Sequence, residues 1–262
     1  MRSRTVWTCL VIAAMLLAAC GGDAEEGTTT TSVAGTTTTL AATTSTTGEP
    51  TTTTTSSTTT TAPAPTTTNE SAGLPGEPIE FGPVEGDILA VVGVAHDDVL
   101  NLRAAPGADQ EILQLIPPVY DSLTALGQTR QLPNSLWIGV DYEGTEGWVN
   151  LSFIAYLGYT DDITAAVVED LGERPGAETM LDLGLIVAQS LAGDPSADIV
   201  MSVAPTVGDL GEVTFDVTGF EDDSVRGGRY HIFGQPIEEG FVLHTVEATP
   251  FCARGVDEGA CV

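Results

Sequence analysis

The sequence has 262 residues and is strongly acidic, with 37 Asp and Glu residues, eight basic residues and a formal net charge of −29. All eight basic residues are arginines. Electrostatic binding to nucleic acid or to an anionic bilayer needs a basic patch, so this composition argues against both classes of function. The acidity is typical of a solubilising surface, since pairs such as Asp161-Asp162 lack the alternating spacing of a calcium loop.

The N-terminus has the composition of a secretory signal peptide. Two arginines precede an apolar run over residues 6–19, which is too short to span a bilayer as a mature helix. Leu17-Ala18-Ala19-Cys20 resembles the bacterial lipobox, and this resemblance implies cleavage before Cys20 and acylation of its sulfur. We predict a signal peptide over residues 1–19 and a lipid-anchored protein on the outside of the cell membrane, facing the cell wall. The alternative is an ordinary signal peptide with a chance cysteine.

Residues 20–83 are predicted to be a disordered linker that follows the lipid-attached cysteine. Residues 28–68 are mostly threonine, with serine, alanine and a few prolines, and offer little that could form a core. A coil of about sixty residues spans roughly 40–47 Å, which would lift a folded domain off a membrane. Threonine-rich secreted tracts are also candidates for O-glycosylation.

Short alternating apolar runs begin near residue 84 and predict β-strands. They are separated by turn residues such as Pro106-Gly107 and lie at residues 88–94, 99–103, 112–116, 120–126, 137–142 and 148–149. Short strands joined by tight turns within about seventy residues favour a small all-β barrel over residues 84–158.

The same segment resembles the bacterial SH3-like family. The resemblance rests on elements that occur in the family's order, namely Leu100-Asn101-Leu102-Arg103, Pro106-Gly107, residues 112–115, residues 137–140 and Gly147-Trp148-Val149. It implies an SH3-like barrel and is much less specific for the ligand. The chain departs from the family at residues 127–135, which we expect to form a longer loop that could border a groove.

Four side chains of the predicted barrel are candidates for ligand binding. Trp137 and Tyr142 lie on the strands that flank the Gly144 turn, and aromatic faces can stack on sugar rings and on peptides. Trp148 is a further candidate, although a place in the barrel core is the stronger interpretation. Arg103 could bind a carboxylate, although anchoring a turn carbonyl is its favoured role.

A second domain is predicted over residues 160–262, and it resembles no family that we recognise. Helical periodicity covers residues 163–171 and 180–191, and the two helices are expected to end at Gly172 and Gly193. Strand patterns follow at residues 199–203, 212–218, 229–233 and 241–247. The fold class is therefore predicted as mainly β, with the SH3-like barrel followed by an α+β domain of two helices on one face of an antiparallel sheet.

Two pairs of residues in this second domain suggest chemistry. Cys252 and Cys261 are predicted to form a structural disulfide, because the location is oxidising and the spacing differs from a C-x-x-C motif. His231 and His244 are a weak metal candidate. If residues 233–241 bound a hairpin, both rings would share one sheet face and could lie opposite one another. A solvated histidine pair is the alternative.

Two functions from different classes remain. The favoured one is a non-enzymatic surface lipoprotein whose SH3-like domain binds peptidoglycan or a wall-associated protein, with a membrane anchor, no nucleic-acid partner and no cofactor. The alternative is an enzyme or metal-dependent activity in the C-terminal domain, which the barrel would target to the wall. No catalytic residue is assigned, since the sequence has no G-x-S-x-G, H-E-x-x-H or S-x-x-K motif.

Overall fold

The computed structural model describes residues 73–193 and 195–262, all of which belong to one compact unit. The predictions of a signal peptide over 1–19, of lipid attachment at Cys20 and of a disordered linker over residues 20–72 lie outside the described residues. The predicted linker extended to residue 83, and its last part is ordered instead, because Glu77–Ile79 form a strand that pairs with residues 129–131. Strands make up 51% of the structure and helices 13%, so the fold is mainly β as predicted. Within the described part of the chain, no helix has both the length and the apolar character needed to cross a membrane.

The N-terminal half is a barrel of short antiparallel strands. Its interior is filled by the apolar side chains that alternate along the strands, including Leu102, Ile116, Ile138, Val140 and Val149. The strands are β1 (Glu77–Ile79), β2 (Ile88–Val91), β3 (Leu100–Arg103), β4 (Ile112–Ile116), β5 (Leu123–Leu132), β6 (Ser135–Tyr142), β7 (Thr145–Asn150) and β8 (Ile154–Leu157). A short 3-10 helix (Leu151–Phe153) connects the last two.

The expected loop at residues 127–135 is largely strand. Residues as far as Leu132 continue β5 and pair with β6, so the chain leaves the ladder only at Pro133 and Asn134. The pairing register shifts between Ala125 and Thr129, which marks a β-bulge. Gly127, within the bulge, has φ of +67°. The glycine at this position is therefore explained by the bulge, and it does not mark the start of a loop.

The C-terminal half consists of two helices on one face of an antiparallel sheet, as predicted. Apolar side chains of α2 pack on Val213, Phe215 and Val217 of the sheet. Gly184 is required there, because a Cβ at this position would lie 2.6 Å from the Phe215 ring. The elements are β9 (Asp161–Asp162), α1 (Thr164–Leu171), β10 (Gly176–Ala177), α2 (Met180–Ala192), β11 (Asp198–Val207), β12 (Gly211–Thr218), β13 (Val225–Ile237), β14 (Gly240–Cys252), β15 (Val256–Asp257) and β16 (Ala260–Cys261).

The two halves share a continuous ladder of strands. Strand β14 pairs with β8 of the barrel through Phe251↔Leu157 and Cys252↔Tyr156, and β8 pairs in turn with β2. Phe251 is fully buried and forms a small core with Val92, Ala155 and Leu157 of the barrel. Both hydrogen bonding and apolar packing therefore cross the junction.

A buried ion pair reinforces this junction. Asp216 on β12 is 0% exposed, and its carboxylate accepts from Arg229 Nε at 2.8 Å and from Arg229 Nη2 at 2.9 Å. The same carboxylate accepts from the Gly93 backbone N–H of the barrel at 2.8 Å and from Ser202 Oγ at 2.9 Å. Arg229 Nη2 also donates to the Val91 carbonyl at 2.8 Å. Charge-assisted hydrogen bonds thus fix the sheet to the barrel.

The predicted disulfide between Cys252 and Cys261 is present and attaches the C-terminal residues to β14. The two cysteines are nine residues apart in sequence. The Gly259 carbonyl within this loop accepts a hydrogen bond from the backbone N–H of Tyr159, next to the junction.

Replacing Cys261 by serine is expected to lower the free energy of unfolding by roughly 2–3 kcal/mol, because closing a loop of this length restricts the unfolded chain. Urea titration of wild type and Cys261→Ser, each with and without reductant, would measure the difference. Reduced wild type should match the variant, and equal stability of oxidised and reduced wild type would contradict the prediction.

Candidate functional site

Three of the four candidate ligand residues lie on the outer face of the barrel sheet. Trp148 is directly paired with Arg103 on one side and with Gly139 on the other, and residues paired in this way share a face. Trp137 is two residues from Gly139 and therefore lies on that face too. The intervening residues of the same strands point into the barrel. The strand alternation thus brings Trp137, Trp148 and Arg103 to one surface.

Tyr142 lies in the barrel interior and is separated from the other three. Its position on β6 has the same parity as Ile138 and Val140, so its side chain points inward. The ring meets Tyr120 edge to face, with centroids 4.9 Å apart, and burial raises the pKa of its hydroxyl above the usual value. Tyr142 is therefore left out of the candidate site.

A cavity of about 430 Å³ opens beside the outer face, at the junction of the two halves. Trp137 and Arg103 both line it, whereas Trp148 does not. Trp137 is only 4% exposed, and its indole Nε1 donates to Ser135 Oγ at 2.9 Å. Arg103 Nη1 donates to the Gln110 carbonyl at 2.7 Å, which is the turn-anchoring role favoured by its sequence position.

A second cavity of about 560 Å³ adjoins the first and shares lining residues with it. The second cavity is bordered by Ile199 and Val200 of β11, and Val200, Gly93 and Phe153 line both spaces. The Phe153 side chain is 39% exposed, and it therefore offers more aromatic surface than any tryptophan of the barrel. We call the two adjoining cavities the junction groove.

The charged side chains that line the junction groove are Asp98, Arg103, Asp198 and Arg226. Arg226 donates to the carbonyls of residues 151, 152 and 154, and so secures the end of the barrel that carries Phe153. Burial lowers the pKa of its guanidinium, which still stays charged at neutral pH. Asp98 and Asp198 are both exposed, and the groove therefore presents carboxylates to solvent.

His231 and His244 do not face one another, which corrects the expected cross-strand pair. A β-bulge interrupts the β13–β14 register, since Phe233 pairs with Thr245 and Gly234 with Leu243. His244 is the extra residue of this bulge and contacts Thr245 Oγ1, whereas His231 is paired with Glu247. His231 Nε2 lies 3.3 Å from Glu212 Oε2. In the described ranges, no set of three or more His, Cys, Asp or Glu side chains has a metal-binding arrangement.

The sequence reasoning missed Phe153 and the whole contribution of β11. Phe153 follows the Gly147-Trp148-Val149 motif closely, and a large aromatic residue so near the family motif is a signal that could have pointed to it. The approach of Val200 to the barrel depends on contacts between distant parts of the chain and leaves no local pattern.

The family model described as bacterial SH3 domain matches residues 98–155, which is less than a quarter of the chain. This match agrees with the barrel described above, and the chain thus contains a bacterial SH3 domain. It includes Asp98, Arg103, Trp137 and Phe153, whereas β11 lies outside it. The comparisons with curated proteins and with solved structures found no match.

Proposed function

We propose that the protein is a surface-anchored, non-enzymatic lipoprotein whose SH3 domain binds cell-wall peptidoglycan or a wall-associated protein in the junction groove. Bacterial SH3 domains are often cell-wall binding modules, and they are typically extracellular or associated with the wall. The observation that carries the proposal is the exposed ring of Phe153 between two cavities on the outer face of this domain.

The composition of the groove favours binding of a neutral or cationic wall component. Ligand sites combine apolar and aromatic walls with a few placed polar groups, and here Phe153 and Val200 supply the first while Asn101 and Asn150 supply the second. The exposed carboxylates of Asp98 and Asp198 disfavour an anionic polymer, because like charges repel.

The predicted lipid on Cys20 and the linker after it would place this groove within reach of the wall.

The absence of enzyme activity is a further part of the proposal. Cys252 and Cys261 form a disulfide, so neither offers a free thiol as a nucleophile. The groove side chains are aromatic, aliphatic, amide, hydroxyl and charged groups that are suited to recognition.

Phe153→Ala is expected to weaken binding to purified cell-wall sacculi about tenfold, because truncating a central aromatic of a binding surface typically removes more than about 1 kcal/mol. The assay would use residues 65–262, since the barrel pairs with β14 and an isolated barrel would lose that strand. Protein that pellets with the sacculi would be measured over a range of protein concentrations.

Phe81→Ala is the matched control, because Phe81 is 58% exposed and lies away from the groove. It should bind sacculi like wild type. Failure of the wild-type protein to pellet at any salt concentration would overturn the proposed function. Unchanged pelleting of Phe153→Ala would place the binding surface elsewhere.

A further inference from the structure

Strand β11 is one end of the long ladder, and its outer edge has no strand beside it among the described residues. The register with β12 determines which backbone groups face outward. Gly219 donates to the Arg226 carbonyl, so alternate residues of β12, including Val217, bond to β13. The β11 residues paired with these β12 residues therefore direct their backbone N–H and C=O groups away from β12. Ile199 is the partner of Val217, and its backbone N–H and C=O therefore face outward.

The next outward position on this edge already accepts a hydrogen bond from a turn of the barrel. The Met201 carbonyl accepts from the His96 backbone N–H at 2.9 Å. This contact shows that the edge can accept main-chain hydrogen bonds from the barrel side. Ile199 lies two residues before Met201 on the same edge and borders the groove cavity on the β11 side of Phe153. The edge is thus covered at Met201 and open to the groove at Ile199.

The opposite wall of the groove offers a surface for the side chains of an added strand. Phe153 lines both cavities, and Val200 lies beside Ile199 on β11. Peptides that extend a sheet take affinity from main-chain hydrogen bonds and specificity from pockets for alternate side chains. The two cavities lined by Phe153, of about 430 and 560 Å³, fall within the size range of ligand-binding pockets.

The charge of the junction groove favours some extended peptides over others. The carboxylates of Asp98 and Asp198 are exposed at the groove, whereas both of its arginines donate to backbone carbonyls of the protein itself. The chain as a whole carries a formal charge of −29. Local and long-range electrostatics thus favour a ligand with a primary amine over one with a free carboxylate alone.

We propose that the junction groove binds an extended peptide with a primary amine, added as a strand on the outer edge of β11 at Ile199. This inference rests on the proposed function, and it identifies a peptide with a free amine, rather than the glycan, as the recognised part of the wall. It also makes the site composite. The SH3 domain supplies Phe153 and Asp98, and the C-terminal sheet supplies the pairing edge and Asp198.

The probe is a soluble peptide of L residues with blocked ends and one lysine amine, acetyl-Ala-Ala-Lys-Ala-Ala-amide, titrated into ¹⁵N-labelled residues 65–262. Amide shifts should change at Ile199, Val200 and Phe153. Acetylation of the lysine amine should weaken binding roughly two- to fivefold, the value of an exposed ion pair. N-methylation of the peptide backbone should abolish binding, since it removes the donors needed for strand pairing.

Two variants test the protein side. Asp198→Asn should reproduce the effect of acetylation. Asp209→Asn is its control, because Asp209 is exposed and lies in the turn after the far end of β11. Ile199→Pro removes the outward N–H without removing a bond to β12, and proline is tolerated on edge strands. It should abolish peptide binding. Because Ile199 also packs against the C-terminal core, the unfolding midpoint should fall while unfolding stays cooperative.

Pelleting with sacculi separates this inference from the proposed function. If wild type pellets but the peptide shifts no amide at Ile199, the strand-addition inference is overturned and the proposed function stands. If the peptide shifts Ile199 and methylated peptide binds equally well, strand pairing is also overturned. If nothing pellets, the proposed function itself fails.

Discussion

Asp216→Ala is expected to lower the free energy of unfolding by about 3–5 kcal/mol, the range for removing one partner of a buried ion pair. Asp216 is fully buried and the Arg229 side chain is 13% exposed, so the variant would leave a cation without its counter-charge. The Gly93 N–H and the Ser202 hydroxyl would lose their acceptor as well. Denaturant unfolding of residues 65–262, followed by circular dichroism, would measure the change.

A double variant distinguishes loss of the ion pair from a general packing defect. Replacing both partners, as Asp216→Val with Arg229→Met, removes the unpaired charge and should recover much of the stability lost in Asp216→Ala. A loss below about 1 kcal/mol for Asp216→Ala would show that the pair contributes little to the junction. Amide exchange at Gly93 should accelerate in Asp216→Ala, because this N–H donates to the carboxylate.

The barrel was predictable because its signals are local. Pro106 and Gly107 lie in the connection between β3 and β4, as expected, with Gly107 at φ of +135°, and β4 has the predicted bounds. Alternation along β6 also separates the outward Trp137 from the inward Val140. The two helices and their glycine ends, Gly172 and Gly193, follow from helical periodicity in the same way.

The bulges were not predictable, because the extra residue of a bulge shifts the pairing register and re-aims side chains without a fixed signal in the sequence. Gly127 signalled a loop and is instead part of a bulge inside β5. The bulge in β14 similarly displaced His244 from the position opposite His231. Both errors came from treating strand pairing as uniform along its length.

The junction between the two halves could not be predicted from the sequence, for a different reason. Tyr156 and Cys252 are almost one hundred residues apart in the chain and are paired in the sheet. Such pairing follows from how complete surfaces fit together. The groove therefore could be anticipated only on its SH3 side, through Trp137 and Arg103, while Val200 emerged from the fold.

Trp137→Ala is expected to destabilise the protein by about 3–5 kcal/mol, and this loss exceeds any effect on ligand contact. Trp137 is 4% exposed, so only a small part of its ring lines the groove. Its indole N–H donates to Ser135 Oγ. Its cross-strand neighbour Arg130 is also buried and donates to the Gly76 carbonyl at the start of the described chain. Truncation would leave a cavity beneath this contact as well as a lost hydrogen bond.

Trp137→Phe separates the two effects, because phenylalanine keeps an aromatic ring and loses the indole N–H. It should retain most of the stability and pellet with sacculi nearly as wild type does, whereas Trp137→Ala should show a lower denaturation midpoint. Binding would be compared only at denaturant-free conditions in which circular dichroism shows each variant folded. If Trp137→Ala were as stable as wild type but no longer pelleted with sacculi, Trp137 would instead be a direct ligand contact. Such a result would move the centre of the site from Phe153 toward β6.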